Sequence, residues 1–230
     1  RFSGPYNYRD SAVAIAVSNS GDVYVTGTGI RINSSYDYLT LKYSNEGNLV
    51  WANYYNGTGN GGDFASGIAV DDQGNVYVTG RSYGFFTLSD YATIKYSPGG
   101  DLLWVSRFDA FNNSYDDAYG LVVDKEKNVY VTGIGTSSST GYDIFTIKYN
   151  SNGSQMWRSR FNGPANSDDY PASIILDKEG FLYLVGTSVG RGTGKDIITI
   201  KLNPVTGSDI WNFRSNYLAN NDDIGTSITT

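Results

Sequence analysis

Three kinds of side chain recur every 53 residues along this 230-residue chain. Tyrosine and lysine keep this interval throughout, whereas the last tryptophan gap is one residue longer because the turn at 203–207 carries an extra residue. A repeat of fixed length indicates an array of similar units that pack on their neighbours. The recurring residues are Trp51, Trp104, Trp157 and Trp211, Lys42, Lys95, Lys148 and Lys201, and Tyr24, Tyr77, Tyr130 and Tyr183.

Each repeat is predicted to contain four short strands. The first strand is aliphatic, the second reads Val-Tyr-Val-Thr-Gly or a close variant, the third runs from an Asp to a Lys, and the fourth contains the Trp. Val, Ile, Tyr, Thr and Trp favour strands, and Gly, Asn, Asp and Ser separate them. The first strands are expected at 12–17, 65–70, 118–123 and 172–176, the second at 23–27, 76–80, 129–133 and 182–186, and the third from residues 37, 90, 143 and 196.

The predicted fold class is all-β, a β-propeller made of four-stranded antiparallel blades. Strands that are apolar on both faces fit sheets covered on both sides. Small residues in the middle of the first strands fit the innermost position, where strands crowd around the axis. A β-helix would need a shorter coil, and a sandwich would not repeat at this interval. The small residues are Ala14, Gly67, Gly120 and Ser173.

Segments 90–104, 116–124 and 128–133 together resemble the SBBP β-propeller repeat, and the resemblance extends over the whole chain in four copies. It implies a propeller, often seven-bladed, in secreted or surface proteins of bacteria and archaea. It carries no catalytic motif, so no functional residue follows from it.

The whole chain is predicted to be one repeat array, with blades at about 10–55, 63–108, 116–161 and 169–215 and the start of a further blade at 216–230. We therefore expect about four blades plus an extra inner strand. The sequence begins and ends inside repeats and shows neither an initiator Met nor a signal peptide. The expectation is a piece of a longer propeller, a processed product, or half of a ring completed by a second chain.

Composition excludes several chemistries within these 230 residues. With no His and no Cys, the chain can form neither a Ser-His-Asp triad nor a thiolate or imidazole metal site. The net charge of −6 argues against nucleic acid as a partner, because phosphates require neutralisation by Lys and Arg. Insertion into a membrane is not expected, since no apolar run approaches the ~20 residues that span a bilayer.

Aromatic residues mark one end of the blades as the candidate ligand-binding face. Connections from the fourth to the next first strand, and from the second to the third, should emerge together on that end and are predicted to be long. Tyr combines an apolar ring with a polar tip, which suits stacking on sugars or contact with a protein. The alternative is that these rings fold back onto the blade edges. The candidates are Tyr36, Tyr83, Phe85, Phe86, Phe111, Tyr115, Tyr142 and Tyr170.

Equivalent acidic residues stand at the entry of each first strand. If they converged near the mouth of the central channel, their carboxylates could hold a hard cation such as Ca²⁺, the one cofactor considered. The alternative is that each Asp accepts backbone N–H groups in its own turn. The five residues are Asp10, Asp63, Asp116, Asp169 and Asp223.

Four Asn-x-Ser/Thr sequons fall in predicted loops or turns and suit a glycosylated, exported protein. They begin at Asn33, Asn56, Asn112 and Asn152. Chance matches are also expected in a chain rich in Asn, Ser and Thr.

These observations favour a non-catalytic module, secreted or on the cell surface, that binds glycan, protein or further copies of itself. One alternative is a structural subunit of a surface assembly or filament. Another is a fragment of a propeller enzyme, such as a glycoside hydrolase with paired carboxylates. Nearly equivalent Asp residues in every blade argue against the enzyme, because its two carboxyl groups need unlike environments.

Overall fold

The computed structural model describes residues 2, 4, 9–31, 35–217 and 221–229, which form sixteen strands in four antiparallel sheets. Each sheet contains four strands in chain order, so each predicted repeat is one blade of an all-β propeller and the predicted fold class is confirmed. The first blade comprises β1 (Ser11–Val17), β2 (Val23–Ile30), β3 (Tyr36–Tyr43) and β4 (Leu49–Tyr55). The second comprises β5 (Phe64–Val70), β6 (Val76–Tyr83), β7 (Ser89–Tyr96) and β8 (Leu102–Phe108). The third comprises β9 (Asp116–Val123), β10 (Val129–Ser137), β11 (Gly141–Tyr149) and β12 (Gln155–Phe161). The fourth comprises β13 (Asp169–Leu176), β14 (Leu182–Gly190), β15 (Gly194–Leu202) and β16 (Asp209–Ser215).

The innermost strands are the first strands, as the small residues predict. A Cβ added to Gly67 in β5 would lie 3.3 Å from the Cα of Gly120 in β9, and Ser66 Oγ donates a 2.5 Å hydrogen bond to the Ala118 carbonyl of the next blade. Larger side chains at these positions would force the blades apart.

The core lies mainly between blades. All eight residues of β7 are buried, because that sheet is covered on both faces. Trp51 of the first blade packs against Tyr24 of its own sheet and Tyr96 of the second blade. This two-sided burial explains why the strands lack an alternating polar pattern.

The part of the chain that the structure describes contains no apolar helix of the length needed to span a bilayer.

A recurring contact joins each blade to the next. The indole N–H groups of Trp51, Trp104 and Trp157 each donate a 3.1 Å hydrogen bond to a carbonyl in the turn between the third and fourth strands of the following blade. The acceptors are the carbonyls of Pro98, Ser151 and Pro204, which also receive Nζ of Lys42, Lys95 and Lys148 at 3.3, 3.4 and 3.0 Å.

Two blade faces remain exposed. These are the described surfaces of the first and fourth blades that no neighbouring blade covers. On the first blade Ile15 of β1 is 66% exposed, and on the fourth blade Trp211 of β16 is 42% exposed. Residues 221–229, predicted within an extra inner strand, follow the route of a first strand without joining a sheet. Asp223 N donates to the Lys195 carbonyl at 2.6 Å, but no second strand lies beside this segment among the described residues to complete a ladder.

Candidate functional site

One end of the blades, called here the long-loop face, is formed by the β4–β5, β8–β9 and β12–β13 connections together with those between second and third strands. The two sets contact each other: Gly59 N donates to the Tyr83 carbonyl at 3.1 Å, and Phe85 N donates to Thr58 Oγ1 at 3.3 Å. The connections between second and third strands are shorter than predicted. Residues 138–140 alone join β10 to β11, because both strands extend beyond their core positions.

The predicted aromatic residues do not share one environment. Phe85 and Phe86 are 67% and 86% exposed and contact each other edge to face, with ring centroids 4.2 Å apart. Phe111 instead packs on Phe145, at 5.5 Å, as the fold-back alternative predicts. Tyr83 lies over Gly61 at the rim of the long-loop face.

The remaining predicted tyrosines flank the inner edge of this face in two groups. Tyr142 and Tyr170 stack with ring centroids 5.4 Å apart. The rings of Tyr36 and Phe64 pack against each other at a tilt, with centroids 5.4 Å apart. Tyr115, just before β9 of the third blade, is the fourth of these tyrosines. Sequence reasoning missed Phe64 as a ligand-contacting candidate.

Between Phe64 and Tyr115 lies Arg81, which sequence reasoning also missed. Its guanidinium carbon is 4.4 Å from the Phe64 ring centroid and 5.7 Å from that of Tyr115. Nη1 donates to Tyr115 Oη and to Asp117 Oδ2, the latter at 3.3 Å. We call Tyr36, Phe64, Arg81, Tyr115 and Asp117 the Arg81 cluster. It borders a cleft of about 430 Å³.

The strand register sets Arg81 apart from its counterparts in the other blades. Arg81 pairs with Phe64 across β5 and β6, and the equivalent pairs in the other blades are Ser11–Thr28, Asp117–Ile134 and Tyr170–Thr187. Arginine therefore occurs once at a position that is otherwise Thr or Ile. A residue that breaks the repeat does not serve a function common to all blades.

The Arg81 cluster combines a guanidinium, phenol groups and one carboxyl group whose protonation states follow from burial. Burial raises the pKa of Asp117 to about 6, while Arg81 partly opposes that rise. Burial also raises the pKa of Tyr115, and it raises the pKa of Tyr119 to about 12. The phenols are therefore protonated at neutral pH, whereas Asp117 is mostly ionised and pairs with the permanently charged guanidinium of Arg81.

The structure does not bring the five predicted calcium ligands to one point. Asp63, Asp116 and Asp169 are fully buried, each in its own blade junction. Every Asp of the set accepts the backbone N–H six residues earlier, as the turn alternative predicts. The donors are Gly4, Gly57, Ala110, Gly163 and Tyr217, which pair with Asp10, Asp63, Asp116, Asp169 and Asp223 at 2.6–2.9 Å.

Instead, the acidic group that the described residues bring together is Asp90, Asp109 and Asp116, whose ligand oxygens lie within 4.8 Å of one another. We call these three residues the Asp90 cluster. Burial raises the pKa of Asp116 to about 6, despite the backbone N–H of Ala110 and the hydroxyl of Ser114. Burial likewise raises the pKa of Asp169 to about 6.

The sequons differ in accessibility. Asn112 and Asn152 are exposed, whereas Asn56 is half-buried and its Nδ2 donates to Asn60 Oδ1 at 2.6 Å. Asn33 lies outside the described residues. Glycosylation of any of them stays a prediction.

Comparison with known proteins supports the architecture. The SBBP beta-propeller repeat family matches residues 50–86, which include β5, β6 and all of β4 except its first residue. Curated proteins give no significant match. A protein of unknown function from Bacteroides caccae is 12% identical with a TM-score of 0.55, and the alignment covers 90% of this chain but 62% of that protein.

Two further solved structures align over most of the chain. A protein of unknown function from Dyadobacter fermentans is 8% identical with a TM-score of 0.54, covering 89% of this chain and 69% of that one. A quinohemoprotein alcohol dehydrogenase from Pseudomonas putida is 15% identical with a TM-score of 0.59, covering 87% of this chain and 34% of that one. At such identities the likeness shows the fold alone. Residues 50–86 thus match the SBBP beta-propeller repeat, and the chain folds as four successive β-propeller blades.

Proposed function

We propose that the chain is a non-catalytic extracellular or cell-surface module that binds glycans on its long-loop face. The observation that carries this proposal is the Arg81 cluster, where a cation that breaks the repeat lies between two aromatic rings beside a cleft. A net charge of −6 disfavours polyphosphates such as nucleic acid, so an anionic ligand depends on a local cation, here Arg81. Exposed Asn112 and Asn152 support a location where glycosylation occurs.

The cluster suits an acidic sugar in particular. Tyr36, which is 37% exposed, offers a ring to a pyranose, and Tyr rings bind at low entropic cost. Arg81 is held in place by its contacts with Tyr115 and Asp117, so little side-chain entropy is lost when it meets a carboxylate. The exposed Phe85–Phe86 pair, on the outer part of the same face, extends the surface available to a longer chain.

The experiment measures binding of trigalacturonate and its methyl ester by calorimetry. We expect the acid to bind the wild-type chain more tightly than the ester, and Arg81→Thr to lower that affinity at least ~10-fold, in line with a charge-assisted pair. Thr stands at the equivalent position in the first and fourth blades, so the variant should fold. Arg191→Thr removes an exposed cation elsewhere on this face and should bind like wild type.

Equal affinity for acid and ester would overturn the role given to Arg81. Binding of neither trigalacturonate, nor any glycan on an array of acidic and neutral oligosaccharides, would overturn glycan binding itself.

A second candidate function is a structural subunit of a surface assembly, and a different observation favours it. Trp211 and Lys201 occupy the positions of the three tryptophan–lysine pairs that join the blades, yet Trp211 Nε1 has no acceptor among the described residues. The matching acceptor turn on the first blade contains Gly47. A Cβ at Gly100, Gly153 or Gly207 would lie 2.6–3.1 Å from a tryptophan ring, whereas none of the described atoms is within 4 Å of that point at Gly47.

The fourth-blade face therefore carries the donor side, and the first-blade face the acceptor side, of one contact. We infer that a further blade docks head to tail on each of these faces, and that in a solution of the 230-residue chain a second copy supplies it. Sedimentation should show association of the 25.1 kDa chain that rises with concentration and is lost in Trp211→Ala. Met156→Ala, which changes an exposed apolar residue on β12, should associate like wild type. A single monomeric species at all concentrations would contradict the assembly.

A further inference from the structure

The Asp90 cluster lies in the junction between the second and third blades and shares no residue with the Arg81 cluster, although Asp116 stands between Tyr115 and Asp117 in the sequence. Ser89 at the start of β7 and Tyr115 before β9 form an isolated parallel bridge, and this bridge sets Asp90 beside Asp116. Asp109 follows β8 directly and joins them. Three elements from two blades thus deliver three carboxylates to one place.

One oxygen of this cluster points to a ligand. Asp90 is 4% exposed, and its Oδ2 accepts Arg107 Nη2 at 2.8 Å and Thr87 Oγ1 at 3.0 Å. Its Oδ1 is fully buried and has no hydrogen-bond partner among the described residues. A buried carboxylate oxygen without a hydrogen bond destabilises the folded state, and proteins pair such atoms or coordinate them to a cation.

The next junction shows the same arrangement. Asp143 and Asn162 occupy the positions of Asp90 and Asp109, and Oδ1 of each is likewise buried without a partner among the described residues. Asp169 stands where Asp116 does, with its pKa also raised by burial. The recurrence indicates that the unsatisfied oxygens are built into the blade junction and do not arise from one misplaced side chain.

The two junctions differ in their local net charge. The Asp90 cluster carries three carboxylates, of which Arg107 balances one, leaving a local charge of −2. In the next junction Asn162 replaces one carboxylate and Arg160 balances another, leaving −1. The ligand atoms are oxygens throughout, which suits hard divalent cations and not zinc or copper.

We propose that the Asp90 cluster is a Ca²⁺ site, with Asp90, Asp109 and Asp116 as its side-chain ligands. The ion links β7 and the β8–β9 connection of the second blade to the start of β9 in the third. It satisfies the unpartnered oxygen of Asp90 and neutralises the excess negative charge of the junction. Three side-chain ligands leave room for backbone carbonyls and water, which complete calcium shells of 6–8 oxygens.

Calorimetric titration of the EDTA-treated 230-residue chain with CaCl2 tests this proposal. We expect one site per chain, with a dissociation constant of about 10⁻⁴–10⁻³ M or lower, as in extracellular calcium modules, and a rise in melting temperature with Ca²⁺. MgCl2 should bind more weakly, because Mg²⁺ requires closer octahedral ligands.

Asp109→Asn is the informative variant, since the equivalent positions 56 and 162 already carry Asn in folded junctions. It should fold like wild type without calcium and lose affinity at least ~10-fold, as expected when a ligand carboxylate is removed. Glu46→Gln removes the same charge from an exposed turn and should leave calcium binding unchanged.

Two results would overturn the proposal. One is the absence of both binding heat and a melting shift in millimolar calcium. The other is unchanged calcium affinity in Asp109→Asn, which would place any bound ion elsewhere.

Discussion

Trp104 Nε1 donates a 3.1 Å hydrogen bond to the carbonyl oxygen of Ser151, a residue 47 positions later in the next blade. The same spacing joins Trp51 to Pro98 and Trp157 to Pro204. Directly beneath each indole ring lies a turn glycine, Gly153 in the case of Trp104. The contact requires a positive φ at that glycine and the absence of a Cβ.

Replacing Gly153 with alanine should destabilise the chain more than the same change at Gly47. Both residues have positive φ, 82° and 84°, so the backbone strain is equal. A Cβ at Gly153 would stand 2.7 Å from the Trp104 ring, whereas at Gly47 it meets none of the described residues. We expect the loss of unfolding free energy to be about 1–3 kcal/mol greater for Gly153→Ala. Urea unfolding of both variants measures it, and equal losses would contradict packing by the indole.

Arg107 should contribute more to stability than its counterpart in the third blade. It donates to Asp90 and, at 2.7 Å each, to the hydroxyl and carbonyl of Ser82. Arg160 binds Asp143 and Thr140 and is more exposed, at 37% against 22% for the side chain of Arg107. Arg107→Ala should cost about 3–5 kcal/mol, because it leaves a buried carboxylate without its cation. A smaller loss for Arg107→Ala than for Arg160→Ala would refute this ranking.

Stability should fall as the pH rises through the range in which Asp116 ionises. The pKa of Asp116 is about 6 in the folded chain, against an ordinary 3.8, because burial disfavours the charged form. Between these values the folded state holds a proton that the unfolded state has released, so raising the pH favours unfolding. The penalty approaches about 3 kcal/mol above pH 6, at ~1.4 kcal/mol for each pH unit.

Asp116→Asn should remove the part of this dependence that Asp116 contributes, while Asp117 and Asp169, whose pKa values are also raised to about 6, keep theirs. Measured in EDTA, the stability of the Asn variant relative to wild type should improve between pH 4 and 7. Its amide oxygen can still accept the Ala110 N–H, which preserves the turn. Parallel pH profiles of the two chains would show that Asp116 is not the titrating group.

Phe86 combines high exposure with an unfavourable backbone, since its φ is 68° in a loop where it meets Phe85. Bulky residues in the left-handed region store strain of about 1–3 kcal/mol. Phe86→Gly should relieve that strain and cost no stability, with a gain of up to about 1 kcal/mol once the greater freedom of the unfolded chain is counted. The variant should also bind longer acidic glycans less tightly. Thermal unfolding and calorimetry check the two effects separately, and a destabilised Phe86→Gly would show that the ring packs usefully.

The blades were predictable because the features that build them recur. Trp104, Lys95 and Tyr77 keep one register, and each register position has the same structural role in every blade. The small residues Gly67 and Gly120 likewise indicated which strand is innermost before any contact was known. Tertiary packing therefore changed little in the predicted strands beyond extending their ends.

The candidate site was less predictable because it depends on side-chain direction across blades. Asp116 recurs like a shared ligand at a channel mouth, yet its side chain turns into the junction and meets Asp90, which sequence reasoning had assigned only to the third strand. Arg81 was not predicted because the candidate residues were chosen from positions that recur in the repeats, and arginine does not recur at this position. Phe111 was predicted on the ligand face, but its contact with Phe145 required knowledge of the neighbouring strand.

The tryptophan–carbonyl contact has a direction, because each blade supplies the donor to its successor and the acceptor to its predecessor. Duplication or loss of one whole 53-residue unit therefore leaves every junction between neighbouring blades with a matching donor and acceptor, whatever the number of units. A tandem gene can in this way lengthen or shorten by single crossover events without meeting an incompatible intermediate. Residues such as Arg81 on β6, which the tryptophan–carbonyl contact does not require, are then free to diverge copy by copy.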